Sequence, residues 1–143
     1  MMRWVVAALL IVHGLVHLMG FAKSFGFADL PQLTQLISRG MGLLWLVAGL
    51  LVMASSVAML ASPRSVWIIG AVALVLSQVV ILSAWHDAWA GTVGNILLLL
   101  VVAHGWFTEG PRSFRAAFDC DVVAFGRLRN ARSIQWRAGA RAG

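Results

Sequence analysis

Charged side chains are scarce in this sequence, and their scarcity excludes most classes of soluble protein. Asp, Glu, Lys and Arg make up 11% of the 143 residues, whereas 61% are hydrophobic. A soluble domain is about 45–50% apolar and about 25% charged, and a chain of this length has too little interior to hide so much apolar surface. The composition therefore predicts a membrane protein, and the length leaves room for one domain.

Cysteine is almost absent, which excludes an internal disulfide. The single thiol is Cys120, and no CxxC or Cys/His zinc spacing occurs. No stretch matches HEXXH, a phosphate-binding loop, a dinucleotide fingerprint or a nucleophilic triad. The sequence therefore predicts no catalytic residue and no metal ligand set, and it gives no positive sign of an enzyme.

Four long runs contain no charged residue, and each is long enough to cross a bilayer. A spanning helix needs about 20 such residues, and we place the spans at 4–22, 40–61, 65–85 and 88–108. The sequence predicts an all-α integral membrane four-helix bundle over residues 1–109, followed by a basic tail over 110–143. Six of the seven tryptophans fall near the ends of the runs, where amphipathic rings settle at a membrane surface. They are Trp4, Trp45, Trp67, Trp85, Trp89 and Trp106.

The distribution of Lys and Arg predicts the orientation. With the N-terminus inside, nine of the eleven basic residues lie on the inner side, and only Lys23 and Arg39 lie outside. Positively charged loops stay on the cytoplasmic side, so both termini are predicted to be cytoplasmic, in a bacterial inner membrane. A cleaved signal peptide ending at Ala22 is the alternative for the first run, but its long core and its histidines favour a span.

Two segments are too polar to span. Residues 24–39 are predicted to form a short amphipathic helix on the outer surface, with Asp29 as N-cap and Pro31 in its first turn. Residues 112–128 are predicted to form a basic amphipathic helix that binds anionic lipids of the inner leaflet. A disordered basic tail is the alternative there, and disorder is expected after Arg129. No nucleic-acid-binding motif is present. In the 112–128 helix, a stripe of Phe114, Phe118, Val122 and Phe125 recurs at helical spacing.

Polar side chains inside the spans are few, and several share one depth. A helix rises about 1.5 Å per residue, which places His17, Gln78 and Asn95 at a common height in the outer half. Polar groups in hydrocarbon must face a partner, so these three are predicted to point inward. The candidate ligand-binding residues are His13, His17, Gln78, Asp87, Thr92 and Asn95.

Two interpretations of this layer remain open. It either fixes helix packing through interhelical hydrogen bonds, in a non-enzymatic module that packs against itself or a membrane partner, or it binds a small ligand such as a quinone head group. A proton pathway is a third, weaker hypothesis. No cofactor is predicted; for a haem, His104 lies at the wrong depth to pair with His13 or His17.

Two quoted stretches carry a resemblance to a known family. "HGLVHLMGFAKSFGFADLPQLTQLISRGMGLLWL" and "LSQVVILSAWHDAWAGTVGN" resemble an uncharacterised bacterial family of small four-helix membrane proteins, over about residues 9–106. Similar segments stand at the front of longer chains with a soluble domain. A more distant likeness is to DoxX-like proteins, which implies redox and thiol chemistry, although one cysteine does not support thiol chemistry here. The resemblance implies that the family pattern includes His13, His17, Gln32, Gln35, Arg39, Ser77, Gln78, Trp85, Asp87, Gly91, Thr92 and Asn95.

Overall fold

Helix is the one kind of regular secondary structure among the residues that the structure describes. The computed structural model describes the backbone of residues 1–139 and, apart from positions 63, 114 and 130–139, their side chains. No strand occurs among the described residues. The helices are α1 (Met2–Ser24), α2 (Arg39–Ala61), α3 (Pro63–Ser83), α4 (Trp85–Ala88), α5 (Gly91–Glu109) and α6 (Phe114–Gly139).

Four of these helices are long and apolar enough to cross a membrane, and one lies in each predicted run. They cover Met2–Ser24, Arg39–Ala61, Arg64–Ser83 and Gly91–Glu109. The helix boundaries follow local signals. Ser38 caps α2 by accepting the Met41 N–H at 3.3 Å, and Pro63 occupies the first turn of α3, where its missing N–H costs nothing. The coarse prediction of a multi-pass membrane protein is confirmed.

The interior of the four long helices combines an apolar cluster with buried polar groups. Leu10, Val52, Ala73 and Leu98, one from each helix, form a core cluster. Many large apolar side chains of the same four helices face outward. This is the reverse of the arrangement in a soluble protein and is the one expected where helices meet lipid. The fully or almost fully buried polar residues are His17, Ser55, Ser56, Ser77 and Asn95.

The predicted short helix at 24–39 is wrong. Residues 25–38, which we call the strap, contain turns and extended backbone and no helix. Gly26 adopts a left-handed φ of 72°, which ends α1. Further along, the N–H groups of Thr34 and Gln35 bond to the carboxylate of Asp87. Because those donors are taken by a side chain, they are not available for helical hydrogen bonds.

The chain divides into two compact units, Met1–Gly105 and a second unit that begins at Trp106. In the second unit Ser113 accepts the Ala116 N–H at 3.2 Å, which caps α6. An Arg115–Glu109 ion pair of 3.0 Å lies beside this cap. The stripe residues Phe118, Val122 and Phe125 are exposed, and the side chain of Phe114 lies outside the described ones.

Helical backbone continues to Gly139, past Arg129, where we expected disorder. Alanine and arginine, frequent in this stretch, are good helix formers. Residues 140–143, the last part of that prediction, lie outside the described residues.

Candidate functional site

The two histidines of α1 point inward and meet groups from α3 and α5. The Nε2 atom of His13 lies 3.0 Å from Oδ1 of Asn95, and Nε2 of His17 lies 2.8 Å from Oγ of Ser77. The Ser77 hydroxyl donates to the same Asn95 oxygen at 2.7 Å, and the Asn95 amide donates to Oε1 of Gln78 at 2.9 Å. These five residues form one network, the polar cluster.

The predicted partners are brought together, but the pairing differs from the simple depth argument. Asn95 contacts His13, which lies one turn below His17, and the direct partner of His17 is Ser77. Depth along a helix axis does not determine how far each helix is rotated or tilted. Ser77 is the site residue that the depth argument missed, and its position next to Gln78 in an apolar helix was the available signal.

The hydrogen-bond pattern assigns the histidine tautomers. In this orientation of the Asn95 amide, Oδ1 carries no proton, so both His13 Nε2 and Ser77 Oγ donate to it. The Ser77 proton is then used, and His17 Nε2–H must donate to the Ser77 oxygen. In a neutral imidazole whose Nε2 carries the proton, Nδ1 is an acceptor. The lone pairs on Nδ1 of both rings are therefore outside these hydrogen bonds.

Glycines make room for the rings of the cluster. A Cβ atom at Gly94 would meet the His13 ring. One at Gly49 would lie 3.1 Å from the His17 Cβ and 2.7 Å from the backbone oxygen of Gly14. A Cβ at Gly20 would meet the Trp45 indole. Small residues permit this close approach of helices, so α1 is seated tightly against its neighbours at these positions.

A cavity of about 200 Å³ lies beside the histidines. His13, His17 and Trp45 line it, together with Leu33 from the strap and Asp87 from α4. Most of the remaining wall is apolar. An apolar cavity of about 150 Å³ accommodates a benzene molecule, whereas drug-sized ligands occupy about 300–1,000 Å³. The space is therefore right for one ring or for a few water molecules.

Asp87 fastens the strap at the edge of this cavity. Its carboxylate accepts the Thr34 N–H, the Thr34 hydroxyl at 2.8 Å and the Gln35 N–H at 2.9 Å. The hydrogen bond from the Gln35 N–H, with those from Thr34, lowers the pKa of Asp87, because hydrogen bonds to the charged form favour it, and the nearby His86 acts in the same direction electrostatically. The neighbouring Leu33 is buried. The Asp87 carboxylate is therefore engaged by the strap.

Three buried polar atoms have no hydrogen-bond partner within the described part of the chain: Nδ1 of His17, Nε1 of Trp45 and Oγ1 of Thr92. His17 and Trp45 line the cavity. Their rings lie edge to face with centroids 5.3 Å apart. A buried polar atom without a partner is costly. Two of the three belong to residues that line the cavity, but each of these atoms is itself buried. Thr92, predicted as a site residue, is part of neither the wall nor the polar cluster.

The His, Cys, Asp and Glu side chains of the site do not form a metal-ligand group among the described residues. Among the described residues, no group of three or more His, Cys, Asp or Glu side chains is placed to hold one ion. The rings of His13 and His17 lie 4.9 Å apart, but their Nε2 atoms are engaged by Asn95 and Ser77. What the arrangement provides is two imidazole rings, fixed by hydrogen bonds, next to a mainly apolar space.

Comparison with models of protein families, with curated proteins and with solved structures finds no match. The functional argument therefore depends on the geometry of the site.

Proposed function

We propose that this protein is a non-enzymatic, multi-pass membrane protein that binds a small neutral ligand in the cavity beside His13 and His17. One observation carries the proposal. A cavity of about 200 Å³ is walled mainly by apolar side chains, and the polar cluster holds the His13 and His17 rings beside it. Ligand pockets are mostly apolar, with a few placed polar groups, and this cavity fits that description.

The polar cluster supports binding more than it supports proton transport. Asn95 stands in the middle of the network, and its amide oxygen accepts from two sides. An amide oxygen that receives two hydrogen bonds has no proton of its own to pass on. The cluster instead holds the two imidazoles in fixed orientations, which is what a preformed binding site needs.

Ligand-dependent stability tests the proposal. A ligand that binds only the folded protein raises its stability with concentration. We expect a panel of single-ring compounds to raise the melting temperature of the protein in lipid nanodiscs. Ala88→Leu, which adds volume to the cavity wall, should abolish the effect. Ala103→Leu, on α5 and outside the cavity lining, is the matched control. A panel that shifts no melting temperature contradicts the proposal.

A second candidate function is a packing module, and the polar cluster itself favours it. The cluster joins α1, α3 and α5 through four hydrogen bonds, and interhelical hydrogen bonds of this kind stabilise membrane helices by about 0.6 kcal/mol on average. In that case the protein associates with another copy or with a membrane partner. Substitutions in the cluster would then lower stability or association and leave small-molecule binding undetectable.

The proposed topology is a four-helix bundle in a bacterial cytoplasmic membrane with both termini inside, as the excess of basic residues in the tail supports. Cys120, the single cysteine, is exposed and reports on this topology directly. A membrane-impermeant maleimide should label it in inverted vesicles and leave it unlabelled in intact spheroplasts. Labelling in spheroplasts contradicts the orientation.

We further propose that α6 lies on anionic lipid. Its exposed Phe118, Val122 and Phe125 share the helix with several arginines, and apolar burial together with basic charge attracts such helices to anionic surfaces. The resemblance to an uncharacterised four-helix family and, distantly, to DoxX-like proteins remains a prediction. Under that resemblance the ligand would belong to a redox process, and a quinone head group is then a natural ligand to test.

A further inference from the structure

We propose, building on the ligand-binding function above, that the cavity opens sideways into the hydrocarbon of the bilayer and takes its ligand from the lipid, as a neutral ring whose apolar chain stays among the acyl chains. The cavity alone has space for one ring. A lateral opening gives the ligand a chemical class, a long-chain ring compound dissolved in the membrane, and not a solute of the water phase.

The first step is the position of the cavity on α1. Because a helix turns by about 100° per residue, His17 lies to one side of His13 around the helix and Val16 lies to the other. His17 is 1% exposed, whereas Val16 is 46% exposed and faces lipid. All three side chains line the cavity. The cavity therefore extends from the interior of the helices to the lipid-facing flank of α1.

The second step is the wall opposite this flank, where the residues are small. Ala88, Ala90 and Gly91 line the cavity there, and Ala90 is exposed. A Cβ atom added at Gly91 would lie 3.9 Å from Cε1 of His13, so the start of α5 adjoins the same ring. No large side chain of this wall closes the space beside Val16. We call the opening between Val16, Ala90 and Gly91 the mouth.

The third step is the phase that the mouth meets. Val16 lies about 12 Å along the helix axis from the end of α1 at Ser24. The hydrocarbon core of a bilayer is about 30 Å thick, so each leaflet contributes about half of that. The mouth therefore lies at the depth of the acyl chains of one leaflet, and a chain that leaves the cavity there enters lipid.

The fourth step is the other end of the cavity, which the strap covers. Leu33 is buried and lines the cavity. The bonds from Thr34 and Gln35 to the carboxylate of Asp87 hold this part of the strap in place. Entry past the strap would require those bonds to break, whereas entry through the mouth breaks no hydrogen bond. The lipid is therefore the favoured source of the ligand.

A series of alkylbenzenes tests the mouth, because the ring is constant and only the chain grows. Ethylbenzene fits a space of about 200 Å³, whereas octylbenzene fits only if its chain leaves the cavity. Each compound is added to nanodiscs at a matched mole fraction of the lipid, and its affinity is taken from the rise in melting temperature. Affinities on this scale should agree within about threefold, because the added methylenes stay in lipid before and after binding.

A closed cavity gives a different result. Octylbenzene would then overpack the site and bind about tenfold or more weakly than ethylbenzene. The cavity-filling variant Ala88→Leu supplies the background, since any effect of the compounds on the lipid itself persists there. A melting shift with ethylbenzene and none with octylbenzene overturns the mouth and leaves the cavity a ligand site. A shift with neither compound overturns both proposals.

Two variants locate the opening, and the readout is the ratio of the two affinities. Val16→Trp narrows the mouth, so the affinity for octylbenzene should fall several-fold while that for ethylbenzene is kept. Val12→Trp, one turn away at an exposed position outside the cavity lining, is the matched control. Ala90→Leu narrows the mouth from the opposite side and should give the same change, which keeps the test available if Val16→Trp does not fold. An unchanged ratio in the variants that fold overturns the mouth.

Discussion

The inward faces of α1 and α5 each carry two regions, an apolar half and a polar half, and the two halves differ in how completely they are packed. On α1, Leu10 belongs to the apolar core cluster, and three residues later His13 belongs to the polar cluster. On α5, Leu98 and Asn95 stand in the same relation, one turn apart. The core residues of the apolar half are fully buried, whereas the polar half borders a cavity and keeps buried atoms without partners among the described residues.

The difference shows how one set of helices supports two tasks. In the apolar half, contact between side chains holds the helices together, since lipid gives no hydrophobic driving force between them. In the polar half, glycines and hydrogen bonds set the orientation of the rings at the expense of complete packing. Binding sites are commonly regions where local packing and hydrogen bonding are incomplete.

The largest effect is expected in the apolar half. Leu10→Ala removes a fully buried side chain from the core cluster and should lower the free energy of unfolding by about 2–5 kcal/mol, through lost contacts and the cavity left behind. Unfolding in mixed micelles measures it. Leu9→Ala, at an exposed position of the same helix, should change little. Similar losses at both positions would contradict the division into two halves.

A smaller effect is expected at the centre of the polar cluster. Asn95→Leu conserves side-chain size and leaves the donors of His13 and Ser77 without their acceptor. The expected loss is about 1–3 kcal/mol, measured by the same unfolding assay. Thr92→Val is the control on the same helix: the hydroxyl of Thr92 has no partner among the described residues, so its removal should be neutral or stabilising. A cost at Thr92 as large as that at Asn95 would argue against the network.

The smallest effect is expected at the strap. Protonation of Asp87 removes the acceptor for Thr34 and Gln35. Because the pKa of Asp87 is lowered in the folded state, its contribution is present above the unfolded carboxyl pKa of about 3.9 and is lost as the pH falls through the lowered value. The protection of the Thr34 and Gln35 amides, taken relative to their intrinsic exchange rates at each pH, should then fall at low pH.

Asp87→Ala should produce the same loss of protection at neutral pH, while the protection in Asp87→Asn, which keeps an acceptor oxygen, should fall between that of Asp87→Ala and that of the natural chain. Hydrogen exchange followed by mass spectrometry of the strap peptide measures both. Protection that is independent of pH and of Asp87 would show that Leu33 alone holds the strap.

The sequence predicts some parts of this molecule well for a physical reason. Long uncharged runs have few stable conformations in a bilayer, because backbone groups must be satisfied within the segment, so four helices follow directly. The inward direction of His13, His17 and Asn95 follows from the cost of polar groups in lipid.

Other parts depend on contacts that a linear pattern does not contain. The bond between His13 and Asn95 depends on helix rotation, which close contacts such as that of Gly14 with Gly49 help to set. The strap departs from its predicted helix because a carboxylate distant in sequence takes its N–H groups. The cavity is a property of all these placements together, so no single segment predicts it.

The most direct test of the account is nitrogen NMR of the protein with ¹⁵N-labelled histidine, in nanodiscs near neutral pH. The account predicts that His17 carries its proton on Nε2, where it is donated to Ser77, and that its Nδ1 is unprotonated. His17→Phe assigns the signal. A proton on Nδ1 of His17 would contradict the account.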